Sequence, residues 1–231
     1  MSVKFHFFGR DCLIDRALQN RVELETQLRK QNISATNILM LNQVHGTEVV
    51  IIDAPEKIYD TQNLPKADAL VTNLSNIALG LFTADCSPIL FFDEEKKIIG
   101  AAHAGWRGAK LGIIDSTVLA MKKLGAKNIQ AKIGPMIQQE SYEVSQDFFN
   151  DFLEENAENK KFFQSGKTSD KYLFDLPKYI EEKLRAAGIS KIENCQIDTY
   201  KNAEKFFSFR RSTHLKEIDC GRNVSVIALK Q

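Results

Sequence analysis

The stretch Leu79–Gly108 reads LGLFTADCSPILFFDEEKKIIGAAHAGWRG, and its pattern decides the fold. Residues 77–83, 88–93 and 98–103 are apolar runs of strand length. The segment TADCS breaks the first from the second, and Asp93-Glu94-Glu95-Lys96-Lys97 separates the second from the third. The charged segment reads as a hairpin tip. Residues 98–103 are apolar without alternation, which predicts a strand covered on both faces. Gly105-Trp106-Arg107-Gly108 then leads into a helix over 109–124, where Leu111, Ile114, Val118 and Met121 recur at helical spacing and Gly125 is the stop.

Towards the N-terminus, the pattern predicts a strand over 3–8 and a helix over 15–30 with Leu18, Val22 and Leu28 on one face. A short apolar run at 38–41, a loop at 42–46, a β-branched strand at 47–53, an exposed loop at 54–66 and a strand at 68–72 follow. Towards the C-terminus come a strand at 129–134 and a helix at 145–156 carrying Phe148, Phe149, Phe152 and Leu153 on one side. The polar stretch 154–161 reads as a helix end or loop. A helix at 176–187 presents Leu176, Ile180 and Leu184 and stops at Gly188. Residues 191–197, 206–210 and 223–229 read as closing strands. The strands cluster and the helices do not alternate strictly with them, so the expectation is one mixed α+β (α/β) domain over 1–231 rather than a doubly wound fold. Neither G-x-G-x-x-G nor a Walker A sequence is present.

Composition agrees with a globular chain: 231 residues, 43% hydrophobic and 26% charged, enough for a substantial core. A net charge of +1 gives no global attraction to nucleic acid or to a membrane surface. The N-terminal MSVKFHFFGRD lacks the apolar region of a signal peptide, and no apolar run is long enough to span a bilayer, so the cytoplasm is the expected compartment. A monomer acting on a small molecule is the expected state. The cysteines at 12, 86, 195 and 220 form no C-x-x-C pair and read as free thiols.

Of the four histidines, His45 and His103 each sit where a strand meets a glycine-containing turn, and Cys86 sits in a strand break. Two imidazoles and one thiolate suit a catalytic zinc, which keeps three protein ligands and one open position. Two other readings use the same residues. One is a buried thiol with two hydrogen-bonded histidines. The other is a Cys86 nucleophile with His103 as its base and Asp85 orienting the imidazole. The turn at 104–108 offers free backbone N–H groups at a helix start, and Arg107 adds a fork of donors suited to phosphate or carboxylate. The plain alternative is a tight turn with Arg107 in solvent.

The motifs NQVHG (42–46), ADALVTN (67–73), TADCSPILFFD (83–93) and GAAHAGWRG (100–108) resemble the laccase-domain family. GP with YEV (134–135, 142–144), FFSFRR (206–211) and GRNVSVI (221–227) extend the resemblance over nearly the whole chain. That family is known variously as multicopper polyphenol oxidase, purine nucleoside phosphorylase and peptidoglycan editing factor. The resemblance implies a domain of layered mixed sheets flanked by helices and a metal, zinc or copper, on His45, Cys86 and His103. It implies phosphorolysis of adenosine, inosine and methylthioadenosine, and deamination of adenosine. Cys86, His103 and Arg107 are then the candidate catalytic residues, and Arg107, Arg10 and Arg210 the candidate contacts to nucleoside and phosphate. The chain departs from the family pattern at Asp11-Cys12-Leu13, at Glu140-Ser141 and at Asp198.

Three further functions fit the same residues. Copper-dependent polyphenol oxidation would use the His-Cys-His set as a mononuclear centre, but only two histidines remain for an oxygen-reducing cluster. A Cys86–His103 hydrolase in peptidoglycan precursor editing would need no metal. A non-enzymatic metal module would need a fourth protein ligand.

Overall fold

The computed structural model describes residues 3–14, 21–59 and 63–229. In chain order these form β1 (Val3–Phe8), α1 (Arg21–Lys30), β2 (Asn37–Leu39), β3 (Val49–Ile52), β4 (Ala69–Thr72), β5 (Ile77–Thr83), β6 (Ser87–Asp93) and β7 (Ile98–Ala104). Then follow α2 (Trp106–Leu111), α3 (Ile113–Lys123), β8 (Gln130–Ile133), β9 (Glu143–Ser145), α4 (Gln146–Glu155), β10 (Phe163–Ser165) and β11 (Lys171–Phe174). The chain closes with α5 (Leu176–Ala186), β12 (Ile192–Asn194), α6 (Phe209–Leu215) and β13 (Asn223–Leu229).

Two mixed sheets are stacked. One has the order β1-β13-β5-β2, the other β12-β8-β6-β7-β4-β3. The apolar runs lack polar alternation because both of their faces are covered. On β6, Leu90 and Phe92 join Leu79, Leu81 and Ile227 between the sheets, while Ile89 and Phe91 pack with Ile114, Val118 and Met121 of α3. On β5 and β13, Ala78, Phe82, Val224 and Val226 turn the other way, onto Leu24 and Leu28 of α1. The fold is therefore a mixed α+β domain in which helices flank two central sheets, as the motifs imply. A third, three-stranded sheet, β10-β11-β9, lies among the aromatic residues of α4.

Several local expectations change. Residues 15–20, including Leu18, lie outside the described residues, and Val22 is exposed while Leu24 and Leu28 are buried. The helix expected over 109–124 starts at Trp106 and is broken by Gly112, whose φ of 102° lies in the left-handed region where glycine has no Cβ penalty. The break turns Leu111 outward. Residues 206–210 are not a strand. The Asn223 side-chain amide satisfies both the N–H and the C=O of Phe207, and Ser208 then caps α6 by accepting from the Arg211 N–H. The short strands β9, β10 and β11 have no apolar run long enough to be read from the sequence.

The inter-sheet layer should dominate stability. Leu90→Ala, at a fully buried position, should cost about 2–5 kcal/mol in urea denaturation. Leu119→Ala, on the exposed side of α3, should stay within about 0.5 kcal/mol of the parent.

Candidate metal centre

The hairpin register assembles half of the site. β6 and β7 pair antiparallel with Ser87 opposite Ala104, so one step further Cys86 lies opposite Gly105. A Cβ on Gly105 would stand 2.7 Å from Cys86 Sγ and 3.3 Å from His45 Cδ2, so only glycine lets the strand end pass so close to both. β4 pairs antiparallel with the other edge of β7, Ala69 opposite Ala102, which sets Asp68 opposite His103.

Asp68 supplies the other half. Its carboxylate is fully buried. It accepts the backbone N–H groups of Val44, His45 and Gly46 at 3.2, 2.9 and 2.7 Å, and it meets His103 Nδ1 at 2.8 Å. Three consecutive N–H groups wrapped on one carboxylate bend the 42–46 loop, and His45 adopts a φ of 60°. The same contact fixes the His103 tautomer: Nδ1 carries the hydrogen towards Asp68, and Nε2 is the nitrogen left for a ligand. Asp68 went unnoticed in the sequence as a site residue. Its signal there is a lone carboxylate at the head of an apolar strand, in ADALVTN.

One ligand atom each from His45, Cys86 and His103 fall within 4.8 Å of one another. Cys86 Sγ and His45 Nε2 are 3.8 Å apart, and the two imidazoles meet edge to face with centroids at 4.6 Å. Zinc bonds of about 2.0–2.3 Å at the tetrahedral angle place ligand atoms roughly 3.3–3.8 Å apart, so the set needs only a small contraction around an ion. This is the one such group among the described residues. His6 packs instead against Phe8, and His214 meets the Tyr200 hydroxyl at 2.9 Å.

Charge supports the same arrangement. Burial pushes the Cys86 thiol up, but the facing His103 charge and the hydrogen bonds from His103 and His45 outweigh it and bring the thiol down to about 6. Burial opposes the His103 charge, whereas the Cys86 thiolate and Asp68 favour it and raise the imidazole to about 9. Burial likewise penalises the Asp68 charge, but His103 and the loop N–H groups hold that carboxyl below its usual range.

Asp85 does not orient His103. It sits at a φ of 82°, accepts the Thr199 hydroxyl at 2.6 Å and the Arg210 N–H at 2.6 Å, and so ties the turn carrying Cys86 to α6. Two of the three departures from the family pattern meet here as well: the Ser141 hydroxyl donates to Asp198 at 2.6 Å. Tyr142 lies near the same turn, with Arg210 over its ring.

A pocket of about 210 Å³ opens beside the ligand residues, lined by Gln43, His45, Phe82, Thr83, Ala84, Cys86, His103, Phe209 and Arg222. It lies where β5 ends and β13 begins, Thr83 opposite Asn223. Gln43 is committed to structure, since its amide bonds both the N–H and the C=O of Phe82. Phe209 and Arg222 were missed as site residues, because only the fold brings α6 and the start of β13 to this rim. The three arginines singled out in the sequence are placed elsewhere. Arg107 is exposed on the first turn of α2. Arg210 donates to the Glu143 carbonyl at 2.7 Å, and Arg10 stacks on the Phe207 ring.

Residues 15–230 match the family model described as multi-copper polyphenol oxidoreductase laccase. A purine nucleoside phosphorylase of Rickettsia conorii is 41% identical over 213 residues, covering 92% of this chain and 85% of its own length. The Escherichia coli protein YfiH, also named a purine nucleoside phosphorylase, is 32% identical and covers 79% of this chain and 74% of its own. Among solved structures, a Neisseria meningitidis protein matches with a TM-score of 0.78 at 29% identity, covering 99% of this chain and 95% of its own.

Asp68→Asn should weaken zinc binding about 10- to 100-fold in a competition titration, because the amide removes the charge that orients His103 and the 42–46 loop. In metal-free protein, alkylation of Cys86 should rise as the pH climbs through about 6, since the thiolate is the nucleophile and forms above that point. Cys12, which burial and the nearby Asp11 and Glu23 push up to about 12, should stay unreacted in the same peptide-mapped sample.

Proposed function

The chain belongs to the multi-copper polyphenol oxidoreductase laccase family, and from that premise we propose that it is a zinc-dependent purine nucleoside phosphorylase. The observation that carries the reading is the His45–Cys86–His103 set, converging within 4.8 Å at the wall of a pocket that also presents an aromatic ring and an arginine. Relatives named purine nucleoside phosphorylase, one of them 41% identical over 92% of this chain, support the substrate class.

The donor set fits zinc, and a zinc held there would supply Lewis-acid polarisation of a substrate oxygen or water. The chain's own residues do the rest. Asp68 engages His103 Nδ1, which turns Nε2 towards the site and holds the ring in place. Cys86 stays a thiolate because the imidazoles face it. Phe209, 60% exposed at the rim, offers a flat surface for a purine base. The pocket is smaller than the roughly 300–1,000 Å³ usual for enclosed ligand sites, so a bound nucleoside remains partly in solvent. Adenosine and inosine are the proposed substrates, with methylthioadenosine a third, and adenosine deamination is the proposed side activity of the same centre.

Oxygen-reducing laccase chemistry is disfavoured by geometry. It needs a second, histidine-rich cluster, and among the described residues His6 and His214 each have an aromatic neighbour instead. In the metal-free hydrolase reading the carboxylate behind His103 would be Asp68 rather than Asp85, which faces Thr199 and Arg210.

Adenine should appear from adenosine only when phosphate is added, and chelation should abolish it until zinc is restored. Cys86→Ala should lower both bound zinc and the rate by at least about 100-fold. Full phosphate-dependent activity in that variant would sink the assignment. Inosine formed without phosphate would report the deamination.

A further inference from the structure

The pocket beside the metal-ligand set holds a charge that the structure leaves unspent. Among the described residues, Arg222 is the one arginine or lysine on its lining, and no carboxylate lines it. Nη1 of Arg222 donates to the carbonyls of Cys220 and Gly221, the latter at 3.0 Å, which pins one edge of the guanidinium to its own loop. Nε and Nη2 have no protein acceptor, and Arg222 has no carboxylate partner, among the described residues. A second group on the same lining is also unspent. Thr83 is 2% exposed, and its hydroxyl has no hydrogen-bond partner. A buried polar group without a partner costs about 1–3 kcal/mol unless a ligand or water meets it.

The strand register makes this arrangement part of the fold. β5 and β13 pair with Thr83 opposite Asn223, so Arg222 sits one step beyond the last pair, at the end of the sheet rather than on a free loop. The arginines at 10 and 210 are already engaged, one with Phe207 and the other with Glu143 and Tyr142. A half-buried, unpaired guanidinium facing a pocket is suited to a phosphoryl dianion, which takes two N–H donors from its fork.

We propose that Arg222 is the phosphate-recognising residue of this pocket, and that its ligand is the inorganic phosphate co-substrate. This rests on the phosphorylase reading above. Phosphate held at Arg222, on the same lining as the ligand set and Phe209, would stand beside the nucleoside, whereas the exposed Arg107 is not among the lining residues. The bond made in the reaction is from a phosphate oxygen to the ribose C1′. The bond broken is the glycosidic one, whose electron pair leaves with the base.

The test compares the parent with Arg222→Gln and Arg222→Lys, each checked for zinc content and far-UV spectrum. The KM for phosphate, at saturating adenosine, should rise about 10- to 100-fold in Arg222→Gln, the range expected for losing hydrogen bonds to a charged group. The KM for adenosine should move less than about threefold, and Arg222→Lys should recover part of the loss. Equilibrium dialysis against labelled inorganic phosphate gives a readout independent of turnover, and binding should fall in the same order. Phosphate bound equally by parent and Arg222→Gln overturns the proposal. So does a phosphate KM raised by Arg107→Gln but not by Arg222→Gln. If Arg222→Gln spares phosphate and instead relieves inhibition by adenosine monophosphate, the site serves a nucleotide phosphate and the assignment is again overturned. If the parent releases no adenine yet binds phosphate through Arg222, the phosphorylase reading fails while the anion site stands.

Discussion

The buried carboxylate of Asp68 is the constraint on which the centre depends. A charge out of water must be matched by donors, and here four converge on it: three N–H groups of the His45 loop and the His103 imidazole. Satisfying that one charge shapes the loop that carries one candidate ligand, His45, and aligns the ring of another, His103. It also explains why His45 tolerates a left-handed backbone, since the alternative would strand a carboxylate in the interior. Replacing the carboxylate would thus act on two ligands at once, although Asp68 itself need not touch an ion.

Strand register does the remaining assembly. An antiparallel hairpin pairs residues symmetrically about its tip, so the distance from Cys86 to the turn at Asp93–Lys97 nearly equals that from His103. Gly105 then allows the thiol to lie against the end of β7. The cost of the design is concentrated in backbone positions of positive φ at His45 and Asp85, each held by several hydrogen bonds. The centre is in this sense preorganised by sheet and carboxylate together, with a thiolate kept by the imidazoles that face it.

The pocket gains its chemistry from the junction of the two sheets. One wall is the ligand set at the ends of β6 and β7, and the other is the end of β5, the start of β13 and the first residue of α6. Aromatic, cationic and candidate metal-ligating groups thereby meet from five separate stretches of chain.

The sequence by itself determined much of this. Unalternating apolar runs between turn signals specify strands covered on both faces, because burial leaves no place for polar residues, and the candidate ligands stand out there too, His45 and His103 at glycine-containing turns and Cys86 in a strand break. The breaks at Gly112 and Phe207 were not legible. A helix of continuous apolar spacing can still bend where one glycine takes a positive φ, and an apolar run such as FFSF can have its backbone satisfied by a side-chain amide instead of a strand. Only the tertiary structure decided which carboxylate serves His103 and which arginine faces the pocket. Asp68 and Arg222 are ordinary in the sequence. Their places arise from cross-strand neighbours, 35 residues apart for Asp68 and His103, and such pairings are set by packing rather than by local pattern.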